Sequence, residues 1–414
     1  MAGLQPVRGT QDLLPDAQRR HRTVIDTARG IAERYGFQEV ATPIFEFTEV
    51  LARPIGESTD IVSKEMYTFT DRGGEEITLR PEYTAGLVRA VLSNSLTQSL
   101  PLKFFAAGPM FRYERPQKGR FRQFHQIDIE LIGAAQPTAD IELIALGAEI
   151  LDQLGVLKNT VLELNTLGDT ASRAAYRAAL VDFYAGHRGS LSEDSLRRLE
   201  VNPLRILDSK DEGDKRINAN APAFADYLMQ EGRDFFGEVC MGLNALGIAY
   251  QHNQRLVRGL DYYCHTAFEF VTTALGSQGT VLGGGRYDGL MKVMGGPETP
   301  GVGWAAGIER LALLIDEPAP PPRAIALVPI GKPAETLAMQ LAQSLRRAGL
   351  HIELGYSGNL SRRMQRANKI KARAAVILGD NEIERQAATV RDLDSGEQAE
   401  VPLASLAERL AAFR

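Results

Sequence analysis

Four of the five residues from Pro318 to Pro322 are proline. Each proline fixes its own φ and lacks the N–H that a helix interior or a central strand needs. No regular element can cross this run, which forms a stiff spacer. The chain is therefore expected to divide here, into a long piece (1–317) and a short one (323–414). In the short piece Ile325 to Pro329 is an apolar run, and Ala334 to Ala348 carries Leu337, Leu341 and Leu345 at helical spacing. Ala374 to Leu378 reads as a second buried strand and Leu403 to Phe413 as a closing helix. Strands alternating with helices predict a small α/β domain.

The long piece has another organisation. Gln18 to Tyr35 reads as an amphipathic helix, with Val24, Ala28, Ile31 and Tyr35 on one face and Gly36 as its stop. From there to about residue 135 strands dominate. Thr166 to about Ala249 is mostly helical and polar, and strands return between Gln254 and Gly285. The expectation is an α+β core interrupted by a helical insertion at about 166–249.

Composition removes several classes. With 44% hydrophobic and 24% charged residues the chain can build an ordinary globular core. No run of about 18 apolar residues predicts a membrane span, and the first residues carry no apolar leader. Cys240 and Cys264 are the only cysteines and have no zinc-site spacing, which fits a reducing compartment, so a cytoplasmic location is expected. The six histidines never form an HExxH-like cluster, so metal-hydrolase chemistry has no support and no protein metal ligand is assigned. A net charge of −5 argues against a general nucleic-acid coat but leaves room for local basic surfaces. One such surface is the set Arg362, Arg363, Arg366, Lys369, Lys371 and Arg373.

The most informative stretch runs from Lys103 to Gly133. Phe104 to Glu114 and Phe121 to Leu131 read as paired strands around a basic loop, Arg115 to Arg120. Side chains alternate between the faces of a strand. Phe111 and Tyr113 therefore share one face, and Arg112 and Glu114 the other. Likewise His125, Ile127, Ile129 and Leu131 alternate with Phe124, Gln126, Asp128 and Glu130. The hairpin's polar face is either an ordinary half-solvated surface or a platform for a charged substrate. In Arg80-Pro81-Glu82-Tyr83-Thr84, Glu82 and Thr84 would face the same way in an extended segment; a helix cap is the plainer reading. Glycines in Arg258-Gly259-Leu260-Asp261-Tyr262-Tyr263 and Gly283-Gly284-Gly285-Arg286-Tyr287-Asp288 mark either a tight hairpin or a close approach to a ligand. Gly301 to Gly307 is a small-residue strand running into a helix from Ile308 to Ile315. Arg310 sits in that helix's first turn, placed for a phosphate or for a surface salt bridge. Neither a P-loop nor a Rossmann fingerprint is present, so any ATP must be held by another scaffold, using arginines.

Taken together and in this order, these segments resemble the class II aminoacyl-tRNA synthetases, and specifically the histidyl-tRNA synthetase family, over nearly the whole chain. Arg8 to Pro15 resembles the family's opening, and Pro43 the proline of motif 1 at a dimer interface. Phe111-Arg112-Tyr113-Glu114 with Arg120 to Gln126 is similar to motif 2, and Gly307-Ile308-Glu309-Arg310 to motif 3. Arg258 to Tyr263 and Gly284 to Asp288 are similar to the two histidine-specific motifs. The resemblance implies an α+β fold of class II type. An antiparallel sheet flanked by helices would fill 1–317, and an anticodon-binding domain, 323–414, would follow the linker 318–322. It also implies ATP-dependent ligation of L-histidine to tRNA(His) through histidyl-adenylate, by a homodimer, with Mg2+ assisting on the β- and γ-phosphates.

By the same resemblance Glu82, Thr84 and Gln126 hold the α-amino group of histidine, Glu130 and Tyr263 hold its imidazole, and Tyr262 lines the same pocket. Arg112 and Arg258 grip the α-phosphate and Arg310 the γ-phosphate, and these three arginines carry catalysis. Phe124 stacks on adenine with Glu114 at its amino group. Tyr83 departs from the family pattern, which most often has glycine between the Glu and the Thr, and is expected near the amino-group site. The alternative is a catalytically silent relative that regulates the first enzyme of histidine synthesis. Such relatives lack the C-terminal domain and the histidine-specific motif, both of which this chain carries.

Overall fold

The computed structural model describes residues 4–56, 59–207, 209, 211–260, 262–276 and 279–413. Asp261, in the segment from Arg258 to Tyr263, lies outside them. The chain forms two compact units, Met1–Pro318 and Ala319–Arg414, which part inside the proline run.

In the long unit the first helix is Pro15–Arg34. Pro15 occupies the position where a missing N–H costs nothing, and His21, Val24, Ala28, Ile31 and Ala32 form the buried stripe. Tyr35 is the residue after the helix, and Gly36, at φ 81°, turns the chain away. β1 (Gln38–Glu39) follows. β2 (Phe45–Phe47), β3 (Tyr67–Thr70) and β4 (Glu76–Leu79) make a small antiparallel sheet in the order β2-β4-β3. The rest of the unit is built on β5 (Leu102–Phe111), β6 (Gln123–Ile132), β7 (Val161–Thr166), β8 (Gln251–His252), β9 (Cys264–Val271), β10 (Thr280–Arg286) and β11 (Gly301–Gly307).

These strands join β1 in an eight-stranded sheet of order β1-β5-β6-β11-β10-β9-β7-β8. From β5 to β7 every pairing is antiparallel, as expected, while the edge strands β1 and β8 pair in parallel, so the sheet is mixed. One face packs on the helices Pro15–Arg34, Pro137–Gln153 and Gln230–Ala245. Ile127, Ile129 and Leu131 of β6 enter that core with Phe268, Phe270, Val302 and Trp304. The Trp304 indole N–H donates to Leu143 O at 3.0 Å and ties sheet to helix.

The helical stretch after β7 has two allegiances. Tyr176, Leu180, Tyr184, Leu191, Leu199 and Ile206 form a core of their own. The helix Gln230–Ala245 instead sends Val239 and Leu243 into the main core. Thr166, read as the start of the insertion, is the last residue of β7.

The short unit is a five-stranded sheet, β13-β12-β14-β15-β16, formed by β12 (Ile325–Pro329), β13 (Ile352–Leu354), β14 (Ala374–Leu378), β15 (Ala387–Asp392) and β16 (Gln398–Pro402). β12 runs parallel to β13 and β14, and the other pairings are antiparallel. In the helix Lys332–Arg347 the buried stripe is Ala334, Ala338, Ala342 and Leu345, with Leu337 and Leu341 at its margin. Small side chains at four-residue spacing let the helix lie close on the sheet.

Candidate active site

β5 was expected to reach Glu114 and stops at Phe111. Past that point the backbone finds other partners. Phe111 N–H donates to Arg80 O at 3.0 Å, and Tyr113 N–H to Glu65 O at 2.7 Å. Arg112 and Glu114 thus sit on a loop over the sheet rather than on a strand. Alternation on β6 holds: opposite the core residues, Phe124, Gln126 and Asp128 line a cleft of about 260 Å³. This face is not half-solvated. Asp128 and Glu130 are each 1% exposed.

Acidic and hydroxyl groups gather around these strand residues. The segment holding Glu82 and Thr84 is not extended but starts the helix Thr84–Ser93. The Glu82 carboxylate accepts from the N–H groups of Thr84 (2.7 Å) and Ala85 (2.9 Å), so the cap reading is correct, and Glu82 also borders the cleft. Thr84 Oγ1 donates to Glu130 Oε1 at 2.6 Å, and the Tyr287 hydroxyl donates to Glu130 Oε2. Glu130 therefore lies under the cleft, its carboxylate held by two hydroxyls. Burial pushes its pKa up to about 8, against the pull of those two bonds. Burial also raises Glu82, Tyr262 and Tyr263, so both phenols stay protonated donors.

Glu130 fits only because β11 carries Gly303 beside it. A Cβ there would stand 1.6 Å from Glu130 Oε2. Gly303→Ala is expected to destabilise the protein by about 2 kcal/mol or more, since the overlap is with a buried, bonded carboxylate. Chemical denaturation checks this; an unchanged midpoint would refute it.

Tyr83 is placed differently from its expectation. It is 1% exposed and packs with Leu87, Ala106 and Met110. Its hydroxyl accepts from Arg80 at 2.9 Å, and it is not among the residues lining the cleft. At the helix start, successive side chains diverge: Glu82 and Thr84 point to the cleft and Tyr83 away from it.

The other side of the cleft is built on arginines. Arg112 lies 5.3 Å from the Phe124 ring centre and donates to Pro81 O at 2.9 Å. Arg258 pairs with Glu269, which also accepts from Thr280 Oγ1 at 2.7 Å. Arg310 donates to Thr280 O at 2.5 Å. Glu114 is bonded by Arg120 at 2.7 Å; against the upward push of burial, Arg120 and Arg112 hold its carboxyl below the usual range. The cleft is thus divided by charge. Glu82, Asp128 and Glu130 act on one another, Arg310 feels Arg120, Glu114 and Glu269, and Arg112 acts on both groups.

His21, His125 and Glu309 bring possible ligand atoms within 4.8 Å of one another, a grouping the sequence did not reveal. Glu309 is already engaged, accepting from the His125 backbone N–H (2.9 Å) and meeting the His125 ring at 2.8 Å. Burial lowers the His21 pKa and favours its neutral form. The trio braces the start of the Ile308–Leu314 helix against β6.

Ten residues singled out from the sequence border this one cleft: Glu82, Thr84, Arg112, Glu114, Phe124, Gln126, Arg258, Tyr262, Tyr263 and Arg310. Four buried polar atoms on its wall, Gln126 Oε1, Asp128 Oδ2, Arg258 Nε and Tyr262 Oη, have no hydrogen-bond partner among the described residues. Buried polar atoms are rarely left so, and four around one space describe a site shaped for a polar ligand. Asp128, Tyr287 and Glu269 were given no role from sequence. Asp128 had a signal in its place between Gln126 and Glu130 in the strand alternation, and Tyr287 in its place in the Gly284 to Asp288 motif; Glu269 had none.

The comparisons with known proteins agree along the whole chain. A family model for histidyl-tRNA synthetase matches residues 9–311, and one for an anticodon binding domain matches 324–413. A histidine–tRNA ligase of Rhodospirillum rubrum is 60% identical over 414 residues, covering 100% of both chains. Another, of Gluconacetobacter diazotrophicus, is 56% identical over 99% of both. The crystal structure of apo S. aureus histidyl-tRNA synthetase superposes with a TM-score of 0.84 at 33% identity, covering 98% of this chain and 99% of that one. With its sequence, its sheet and its cleft in agreement, the chain belongs to the histidyl-tRNA synthetase family.

Proposed function

We propose that the cleft joins L-histidine to ATP, forming histidyl-adenylate and pyrophosphate, and then passes the histidyl group to tRNA(His) with release of AMP. The observation that carries this reading is the division of the cleft into an acidic side and an arginine side. A cationic amino group suits the first and a polyphosphate the second. The full-length likeness to histidine–tRNA ligases and the match of 324–413 to an anticodon-binding module favour ligation over the regulatory alternative.

In this reading Glu82, Thr84 and Gln126 receive the α-amino group, and Glu130 with Tyr263 receives the imidazole, beside Tyr262. Tyr83, turned toward Arg80, drops out of the set. Phe124 offers its ring to adenine and Glu114 its carboxylate to the adenine amino group. The histidine carboxylate attacks the α-phosphorus, so no protein nucleophile is needed. The protein contributes position and charge: Arg112 and Arg258 at the α-phosphate, Arg310 at the γ-phosphate. Mg2+ neutralises phosphate charge when bound. Glu114 and Glu269 on the arginine side are oxygen donors of a fitting kind, but each is engaged by an arginine, so phosphate oxygens would be the main ligands. The terminal hydroxyl of the tRNA then attacks the activated carbonyl.

The small sheet supports a homodimer. Phe45, Phe47 and Phe69 are each about half exposed on one face, beside Ile77 and Leu79, an apolar surface suited to a second copy. No helix among the described residues is long and apolar enough to cross a membrane, and a cytoplasmic location accords with that.

ATP–pyrophosphate exchange measured across the amino acids tests the whole reading, which requires that histidine alone supports exchange. Tyr263→Phe tests the imidazole contact. Losing the hydroxyl leaves one imidazole nitrogen unpaired, at a cost of about 1–3 kcal/mol. The KM for histidine should rise by that factor while the KM for ATP stays nearly constant; equal effects on both would make Tyr263 a packing residue.

A further inference from the structure

Gln126, Asp128 and Glu130 are successive residues on one face of β6. The first and third have places in the family pattern, and the second has none. Asp128 is 1% exposed, lines the cleft, and its Oδ2 finds no hydrogen-bond donor among the described residues. Its direct cross-strand neighbours are Ala106 on β5 and Ala305 on β11, whose methyl groups give it room and no donor. The nearby arginines do not complete it. Arg80 donates to Pro109 O, Thr42 O and the Tyr83 hydroxyl, and Arg112 to Pro81 O. An acid buried without a partner is costly, and such a group is kept where a ligand supplies the missing charge.

We propose that Asp128 is a further substrate-binding carboxylate, a direct partner of the α-ammonium of histidine alongside Glu82; this rests on the ligation reading above. The ammonium is the one full positive charge of histidine at neutral pH, and it carries three donors, whereas the imidazole is mostly neutral there. Glu82 already shares its two oxygens with the N–H groups of Thr84 and Ala85, and Thr84 and Gln126 are neutral, so Asp128 adds a carboxylate whose Oδ2 has no other donor to serve among the described residues. Burial, with the like charges of Glu130 and Glu82, holds the Asp128 pKa well above the usual carboxylate range. Without substrate the ionised form is therefore disfavoured, and the arriving ammonium favours it.

Asp128→Asn in the full chain tests this. The KM for histidine in ATP–pyrophosphate exchange should rise ~10- to 100-fold, with the KM for ATP within about twofold. The melting temperature of the ligand-free protein should stay level or rise, because a buried unpaired acid is removed; a structural role would lower it. Calorimetric binding of L-histidine should weaken in Asp128→Asn far more than binding of 3-(imidazol-4-yl)propionate, which lacks the ammonium. Asp128→Ala, which carries no polar group, should give the same pattern. An unchanged histidine KM, an equal rise in the ATP KM, or equal loss for both ligands would overturn the assignment. Wild-type protein that fails to activate histidine would remove the ligation reading and this proposal with it. Normal wild-type activation with unaffected variants would remove Asp128 alone.

Discussion

Arg258→Ala is expected to lower the rate of adenylate formation by at least ~100-fold, about 2.7 kcal/mol of transition-state stabilisation. Charge builds on the α-phosphate oxygens as the histidine carboxylate attacks. A guanidinium already fixed beside them needs no reorganisation at that moment. Arg258 is fixed in this way. Its Nη1 is paired with Glu269, its guanidinium lies 5.3 Å from the Tyr263 ring centre, and it fills space that a Cβ at Gly283 would invade at 2.8 Å. The buried Nε has no partner among the described residues and stands at the cleft wall, available to a substrate oxygen. Glu269 keeps its bond from Thr280 in the variant, which limits structural damage. Arg258→Lys restores the charge without the fork and should recover only part of the rate. Near-normal pyrophosphate exchange in Arg258→Ala, with an unchanged melting temperature, would sink the central role.

How much of this was legible in the sequence follows from which residues obey local rules. Alternation along β6 is a local property, and it separated Ile127, Ile129 and Leu131 from Gln126, Asp128 and Glu130 correctly. That the polar face is buried is not local. It depends on the helix Thr84–Ser93 and on Tyr287, distant in sequence, closing over Glu130. The place of Tyr83 was not local either: the resemblance put it near the amino-group site, whereas its ring packs with Leu87, Ala106 and Met110 and its hydroxyl meets Arg80. The end of β5 depended on Arg80 and Glu65, remote backbone partners that no periodicity reports. Asp128 could be seen on the polar face of the hairpin, but only the alanines across from it on β5 and β11 show that the fold leaves it unsatisfied.

The largest effect on the second half of the reaction is expected in the short unit. Reversing Arg362, Arg366 and Lys369 to glutamate should leave adenylate formation within about twofold and lower tRNA charging by ~100-fold or more at moderate salt, because phosphate contacts dominate such affinity. These three are exposed on the helix Leu360–Lys369, which Asn359 caps through Arg362 N–H at 3.1 Å. The basic cluster seen in the sequence is not uniform. Arg363 is 4% exposed and donates to Gly358 O (2.7 Å), Gly355 O (2.6 Å) and Glu335 (2.8 Å), while Arg373 pairs with Asp392. Reversing Arg363 would break the unit rather than a tRNA contact, and belongs in the experiment as a stability control. For every phosphate that the variant no longer neutralises, the slope of log affinity against log salt should flatten by about one. A chain ending at Pro318 should behave as the extreme case, still forming adenylate, because the core clusters of the two units share no residue. Ending it at Asp316 instead would remove Glu317, which is bonded to Arg19 and Arg20 in the long unit. If the triple reversal charges tRNA as the wild type does at every salt concentration, the exposed helix face is only a solvated charged surface, and recognition must lie elsewhere in the unit.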